Sequence, residues 1–254
     1  MKRTIVIGDL HGMCHEAHLL LEKCQATAND RIILLGDLVD RGPDSAGCVD
    51  LAMRIEKEQG APACVLGNHE ERHLSYDDAE KQHGKADVRS ESHMRTRSQL
   101  KPRHYEYMRT LPMYIRLPEY NAACVHAGVW PQRSLEQQSK RHLLHIQSIR
   151  PFAKSPNGVE QTLWPSRVPS SEKDWRFWTH FWGGPERIIF GHSVLNKPLV
   201  NHLVVGIDGG GCFGKELWAF VLPDNQIVRQ PCPSTGSKRA DRELYLIDGD
   251  VGTY

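Results

Sequence analysis

Short, mostly β-branched apolar runs recur along the chain at Thr4 to Ile7, Ile32 to Leu35, Ala63 to Leu66, Ala122 to Val125, Ile188 to Phe190 and Leu203 to Ile207. Each has the length of a buried strand. Glycine follows four of them directly, at Gly8, Gly36, Gly67 and Gly191, where it stops the strand and lets the backbone turn sharply. Helical patterns lie between the early runs. From Glu16 to Gln25, the residues Ala17, Leu20, Leu21 and Cys24 share one helix face. From Asp44 to Glu56, the residues Ala46, Val49, Ala52, Met53 and Glu56 repeat the pattern, with Asp44 or Ser45 as the N-cap. This alternation predicts a layered α/β protein. The later runs, including Glu216 to Leu222 and Gln226 to Arg229, arrive without long helices between them. They are expected to build a second sheet, giving an α/β/β/α sandwich of two mixed β-sheets.

Two segments fit this core poorly and are read as covers over the strand ends, within residues 76–110 and 160–182. Lys85 to Arg109 carries seven Lys/Arg against three acids. A charged run of this kind is usually a solvated face, and if functional it favours a polyanionic or acidic substrate. Leu163 to Trp182 carries Trp164, Trp175, Trp178 and Trp182, which are expected to pack rather than to stack on bases. Residues 1–230 read as one domain and 231–254 as a tail. The tail is Pro/Ser/Gly-rich from Pro231 to Lys238 and expected to be mobile, although Tyr245-Leu246-Ile247 has the character of a docking segment.

Composition narrows the class without identifying it. With 39% hydrophobic and 25% charged residues in 254, the chain is neither disordered nor fibrous. A formal net charge of +1 supplies no global field for a nucleic acid or a membrane surface, so no stable nucleic-acid complex is expected. No apolar run is long enough to span a bilayer, and the amino terminus is too short and too soon acidic for a signal peptide. Seven cysteines without CxxC pairing read as reduced, partly buried thiols, and the expected location is cytoplasmic.

The chemistry lies in the polar clusters behind the strands: Gly8-Asp9-Leu10-His11-Gly12, Gly36-Asp37-Leu38-Val39-Asp40-Arg41-Gly42, Gly67-Asn68-His69-Glu70, His126-Ala127-Gly128 and Gly191-His192-Ser193. In an open α/β sheet the carboxyl ends of the strands converge on one crevice. Two Asp, one Asn and three or more His form a mixed oxygen and nitrogen donor set suited to Mn, Fe or Zn. The set is too large for one ion, and fits two ions sharing a bridging carboxylate. Two divalent cations against two aspartates leave such a centre positive, which favours a phosphate anion. Any one cluster alone reads as an ordinary turn. Their joint occurrence in order, each behind its own strand, does not.

GDxHG, GDxVDRG, GNHE, HAG and GH together resemble the phosphoprotein phosphatase branch of the calcineurin-like metallophosphoesterases, over roughly residues 4 to 222. The likeness is greatest to bacterial and phage-type members, which share HAG with the symmetrical diadenosine tetraphosphatases. The resemblance implies that Asp9 and His11 hold a first metal, Asp37 bridges, and Asn68, His126 and His192 hold the second. It implies two divalent ions, manganese first, with iron or zinc as alternatives. Only Asp37 of the pair Asp37 and Asn68 offers the anionic, two-oxygen group that bridging requires. The resemblance further makes His69 the general acid, hydrogen-bonded by Asp40, while a metal-activated water attacks phosphorus in line. Arg41 would bind two phosphate oxygens through its planar fork. The blander alternatives are a surface salt bridge for Arg41 and a third ligand on the second ion for His69.

Relatives carry a further phosphate-binding arginine near a Leu-Trp-x-Arg pattern. Here the text is Leu163-Trp164-Pro165-Ser166-Arg167, one residue longer, so Arg167 is the candidate with Arg176 behind it. Glu70 is expected to be a structural acceptor, and Gly206 to Gly211 with Asp208 to close the floor of the site. The leading expectation is a metal-dependent phosphatase acting on phosphoserine or phosphothreonine in proteins. The alternative is symmetrical hydrolysis of diadenosine tetraphosphate, which uses the same ligands. A remote third is a non-catalytic metal-binding scaffold, which would be expected to lack a ligand or the acid.

Overall fold

The computed structural model describes residues 2–149 and 176–236. The strands are β1 (Thr4–Ile7), β2 (Arg31–Leu34), β3 (Tyr114–Leu117), β4 (Ala122–Val125), β5 (Ser148–Ile149), β6 (Arg176–Phe177), β7 (Arg187–Phe190), β8 (Leu199–Val200), β9 (Val204–Gly206), β10 (Glu216–Leu222) and β11 (Gln226–Pro231). The helices are α1 (Cys14–Lys23), α2 (Ser45–Gln59), α3 (Asn68–His83), α4 (Glu91–Gln99), α5 (Pro102–Thr110) and α6 (Lys140–His145). One sheet runs β11-β10-β1-β2 and the other β3-β4-β7-β9-β8, both mixed, with a small β5-β6 pair beside them.

The period-two alternation of side chains along a strand explains the layering. Ile5 and Ile7 of β1 face Ala17, Leu20, Val49 and Ala52 of α1 and α2, while Val6 between them joins Phe220 of β10 in packing against Ile189 and Val205 of the second sheet. On β10, Leu217, Ala219 and Val221 join the helical layer, and Trp218 and Phe220 join the inter-sheet layer. Both faces of these strands are therefore dry, and their sequences read as continuous apolar runs. The outer face of the second sheet, from Val125, Ile188 and Phe190, is closed by Leu143, Ile146, Trp178 and Trp182. Trp178 and Trp182 thus pack as expected, whereas Trp164 and Trp175 lie outside the described residues.

Two expectations need correction. β10 and β11 belong to the first sheet: β10 lies antiparallel against β1, with Thr4 opposite Leu222 and Ile7 opposite Ala219. A strand buried on both faces looks the same in either sheet, so only the pairing decides. The run Ala63 to Leu66 shrinks to a single bridge between Leu34 and Cys64, because the Leu66 amide turns away to the Pro112 carbonyl at 2.8 Å. The basic segment Lys85 to Arg109 holds two helices, α4 and α5. Much of its charge is matched locally: Arg103 pairs with Asp50, Arg109 with Asp77 and Asp78, and Arg97 with Glu80. Pairs this exposed contribute little to stability, and the segment is chiefly a solvated face.

Helix α2 starts where expected, with the Asp44 carboxylate accepting from the Gly47 amide at 2.7 Å, and ends at Gly60 in the left-handed region. All seven cysteines are free and buried. Beyond β11 the chain stays packed: Cys232 is buried and the Thr235 hydroxyl donates to the Cys212 carbonyl at 2.6 Å. Tyr245-Leu246-Ile247 lies outside the described residues. No helix among the described residues is long and apolar enough to cross a membrane.

The carboxyl ends of β1 and β9 abut so closely that a Cβ at Gly8 would lie 2.2 Å from the Ile207 carbonyl oxygen. Gly8→Ala must push the sheets apart at this joint, an overpacking cost of about 2 kcal/mol. The expected result in scanning calorimetry is a Tm lower by about 4–8 °C. An unchanged Tm would show that the joint is looser than its contacts imply.

Candidate metal centre

Asp9 follows β1, Asp37 follows β2, Asn68 and His69 begin α3, His126 follows β4 and His192 follows β7. The strand ends bring them together as expected. Asp37 stands at the middle. Its Oδ2 lies 3.4 Å from His11 Nε2 and its Oδ1 lies 3.5 Å from His126 Nε2. Asp37, His126 and His192 form one group able to hold a metal, and Asp37, His11 and His69 another, so Asp37 belongs to both. Asp9 Oδ2 lies 3.9 Å from His11 Nε2. On the other side, His126 Nε2 is 2.9 Å from Asn68 Oδ1 and 3.2 Å from His192 Nδ1.

The protonation pattern suits cations. His11 Nδ1 lies 2.9 Å from the Val39 carbonyl and His126 Nδ1 lies 2.8 Å from the Leu35 carbonyl. A carbonyl can only accept, so Nδ1 carries a proton in both rings and Nε2 is the nitrogen left to face the cluster. His126 Nε2 then meets the oxygens of Asn68 and Asp37, which carry lone pairs. A cation among them would give all three a common partner. Asp9 Oδ2 is buried without a hydrogen-bond partner, which a cation would supply. Arg41 shows the same appetite for charge, with its Nη1 2.7 Å from His11 Nε2 and its Nη2 3.3 Å from His69 Nε2.

Burial, with Asp208 and Asp37 nearby, pushes the Asp9 carboxyl well above its ordinary value. Burial would raise Asp37 too, but any proton held by the imidazoles around it, His126 first, outweighs burial and draws that carboxyl below its usual range. Burial drives His11 and His192 well below the ordinary histidine value, leaving them neutral and able to ligate. The residue set therefore fits two divalent ions, with Asp9, His11 and Asp37 on one side and Asp37, Asn68, His126 and His192 on the other.

The loop from Asp37 to Arg41 is strained, with positive φ at Asp37 (46°), Asp40 (71°) and Arg41 (68°), and His11 (44°) and His192 (61°) share that conformation. Glu70 holds the loop. It is fully buried and accepts from the amides of Asp37 (2.8 Å), Leu38 (2.8 Å), Val39 (3.2 Å) and Gly67 (3.1 Å). Its expected role as a structural acceptor is thereby given its atoms. Glu70→Gln turns an amide N–H toward these donors. Losing one of these two acceptor oxygens, and leaving buried amides unmatched, is expected to cost about 2–3 kcal/mol and to weaken Mn2+ binding about 10–100-fold. A calorimetric Mn2+ titration with wild-type affinity in the variant would reject this role for Glu70.

Behind His69 lies a polar cluster that the sequence reading only partly anticipated. His69 Nδ1 is 2.6 Å from Asp40 Oδ2, as expected. Asp40 Oδ1 is also 2.8 Å from His73 Nε2, and His93 Nε2 of α4 lies 3.5 Å from Asp40 Oδ2. Burial would raise the Asp40 carboxyl, but hydrogen bonds to His69 and His73 reverse the sign and keep it ionised. His93 is pushed down to about 4 by burial, against the pull of Asp40. His73 sits one turn after His69, a signal readable only once α3 is known to be a helix. Arg41 lies against this cluster, with its Cζ 5.0 Å from the Phe213 ring centre. Arg167 lies outside the described residues, and Arg176 is exposed on β6. Asp208 is buried near Asp9 and accepts from the Gly210 amide at 2.9 Å, in keeping with a floor element.

A two-sheet sandwich with Asp, Asn and His donors gathered at its strand ends defines a metal-dependent hydrolase of phosphoric esters. The chain belongs to the calcineurin-like phosphoesterase family, whose model matches residues 2–227. The family is dinuclear and metal-dependent. The chain is 28% identical over 246 residues to the asymmetrical bis(5'-nucleosyl)-tetraphosphatase PrpE of Oceanobacillus iheyensis, covering 89% of this chain and 92% of that protein. It is 31% identical over 171 residues to the symmetrical bis(5'-nucleosyl)-tetraphosphatase of Psychromonas ingrahamii, covering 63% and 58%. The crystal structure of a protein provisionally assigned as a diadenosine tetraphosphatase superposes with a TM-score of 0.70 at 26% identity, covering 91% of this chain and 94% of that one.

Proposed function

We propose that this chain hydrolyses dinucleoside polyphosphates such as diadenosine tetraphosphate. The observation that carries the reading is the near full-length likeness to a bis(5'-nucleosyl)-tetraphosphatase, supported by a strand-end cluster in which Asp37 belongs to two groups able to hold a metal. The expectation of a serine/threonine protein phosphatase therefore gives way to its alternative. The non-catalytic scaffold has no support, since His69, Asp40 and Arg41 are also assembled.

Two divalent cations, when bound, supply Lewis acidity toward the phosphate oxygens and a nucleophile at neutral pH. The remaining work belongs to the chain's own groups. Arg41 offers two Nη donors from the side of His11 and His69, a fork matched to two phosphate oxygens. Asp40 fixes the His69 ring through Nδ1, which leaves Nε2 facing the cluster, 3.9 Å from Asp37 Oδ2. Burial holds His69 below the ordinary histidine value, against the pull of Asp37 and Asp40. A polyphosphate that draws Arg41 onto its anionic oxygens moves a positive charge away from the ring and brings negative charge beside it. Both changes favour the imidazolium, so Nε2–H is available to the departing oxygen when substrate is present.

The test is a substrate panel on the manganese-loaded protein: diadenosine tetraphosphate, a phosphoserine peptide and p-nitrophenyl phosphate. The expected result is a kcat/KM for diadenosine tetraphosphate at least tenfold above that for the peptide, about 1.4 kcal/mol in the barrier. ADP as sole product marks symmetrical cleavage, and ATP with AMP marks asymmetrical cleavage. A preference for the peptide would overturn the proposal.

A further inference from the structure

A cavity of about 480 Å³ opens beside the metal centre, lined by Glu71 of α3 and by Lys140, Arg141, Leu144 and His145 of α6. Leu143 and Leu144, both buried, fix the short helix so that its basic residues line this space. The Lys140 ammonium lies 3.0 Å from one Glu71 oxygen, and His145 Nε2 lies 3.8 Å from the other. The Lys140 ammonium and the His145 imidazole thus both face the Glu71 carboxylate, and Arg141 lines the same space. The His145 ring lies 6.3 Å from the His192 ring, edge to face, and Glu71 is three residues beyond Asn68 on α3. The cavity therefore borders the half of the centre built from Asn68, His126 and His192. Arg41, by contrast, touches His11 and His69, at the other half.

A simple phosphomonoester needs only the metal pair and Arg41. A second basic site across the centre has use only if the substrate carries further anionic groups beyond the phosphorus under attack. We infer that this cavity is a subsite for the phosphates distal to the scissile bond, with Lys140 and Arg141 as the groups that bind them. Glu71 is the internal competitor that holds Lys140 in place until an oligophosphate displaces it. The inference rests on the proposed function only in taking the Asp9–His192 cluster as the hydrolytic centre. It does not require that dinucleosides be the substrate.

The experiment uses the manganese-loaded enzyme at fixed free Mn2+, with p-nitrophenyl phosphate turnover as the readout and inorganic tripolyphosphate and orthophosphate as competitors. In the wild type, tripolyphosphate should inhibit at least tenfold more tightly than orthophosphate. The double variant Lys140→Ala/Arg141→Ala should lower that ratio about tenfold, equivalent to about 1.4 kcal/mol. Glu71→Gln should raise the ratio, because it removes the competing carboxylate, and a misfolded protein would not tighten binding. A ratio unchanged in both variants, or an equal loss for both inhibitors, would overturn the subsite. Diadenosine tetraphosphate is run in parallel so that the two ideas fail separately. If the wild type leaves it uncleaved while the ratios shift as expected, the substrate proposal falls and the subsite stands. If it is cleaved while the ratios stay fixed, only the subsite falls.

Discussion

Asp37→Asn is expected to abolish both metal loading and turnover while leaving a folded protein. The two oxygens of Asp37 face the two halves of the donor set, Oδ2 toward His11 and Oδ1 toward His126. No other described carboxylate belongs to both the His11 and the His126–His192 groups. An amide at this position keeps an acceptor for the His69 amide, which Asp37 now satisfies at 2.9 Å. The fold therefore keeps its hydrogen bond and loses only the negative charge. Loss of Lewis acidity worth several kcal/mol lowers kcat by roughly 10³-fold or more. In the wild type, Mn2+ at a hundred times its dissociation constant should add about 2.7 kcal/mol of stability, which raises Tm by about 5–10 °C. That rise should vanish in Asp37→Asn. A variant that still gains stability from Mn2+ and binds two ions by elemental analysis would show that Asp37 is not shared between them.

His69→Asn should separate acid catalysis from metal binding. The ring is held by Asp40 and lies 3.9 Å from Asp37 through Nε2, so two roles compete: proton donor or additional ligand. If it is the donor, metal content and Tm stay near wild type while activity falls about 10²–10⁴-fold. The size of the fall should depend on the leaving group. A serine alkoxide leaves poorly without a proton, whereas a nucleotide phosphate is a much weaker base and leaves with less help. The loss should therefore approach the upper figure for a phosphoserine peptide and the lower one for diadenosine tetraphosphate. An equal loss on both substrates, together with a missing metal ion, would identify His69 as a ligand.

The parts of the site that sequence made legible are those in which a glycine stops a strand and the reactive residue follows at once. Asp9, Asp37 and His192 each stand directly after such a glycine, and His126 follows β4 directly, so their convergence follows from α/β geometry alone. Helix α3 was hidden because it is polar on nearly every face, with only Asn68, His69, Glu70 and His73 buried. Its start is set instead by Glu70 capping the Gly67 amide, and with the helix unseen the approach of His73 to Asp40 was also unseen. The pairing of β1 with β10 joins residues more than two hundred positions apart, and no local pattern records it. By contrast, β3 carries a strand signal that was there to read: Ile115 and Leu117 point inward between the less buried Tyr114 and Arg116.

The place of β1 between β2 and β10 has a consequence for biosynthesis. When the first forty residues leave the ribosome, β1 can pair with β2 on one edge only, and its other edge waits for a strand that begins at Glu216. At ordinary elongation rates that wait is about ten to forty seconds. His192 emerges shortly before β10, so a nascent chain has Asp9 and Asp37 long before the last member of the strand-end cluster. Completion of the cluster is thus a late event in folding, and an open strand edge must be shielded from other chains until then.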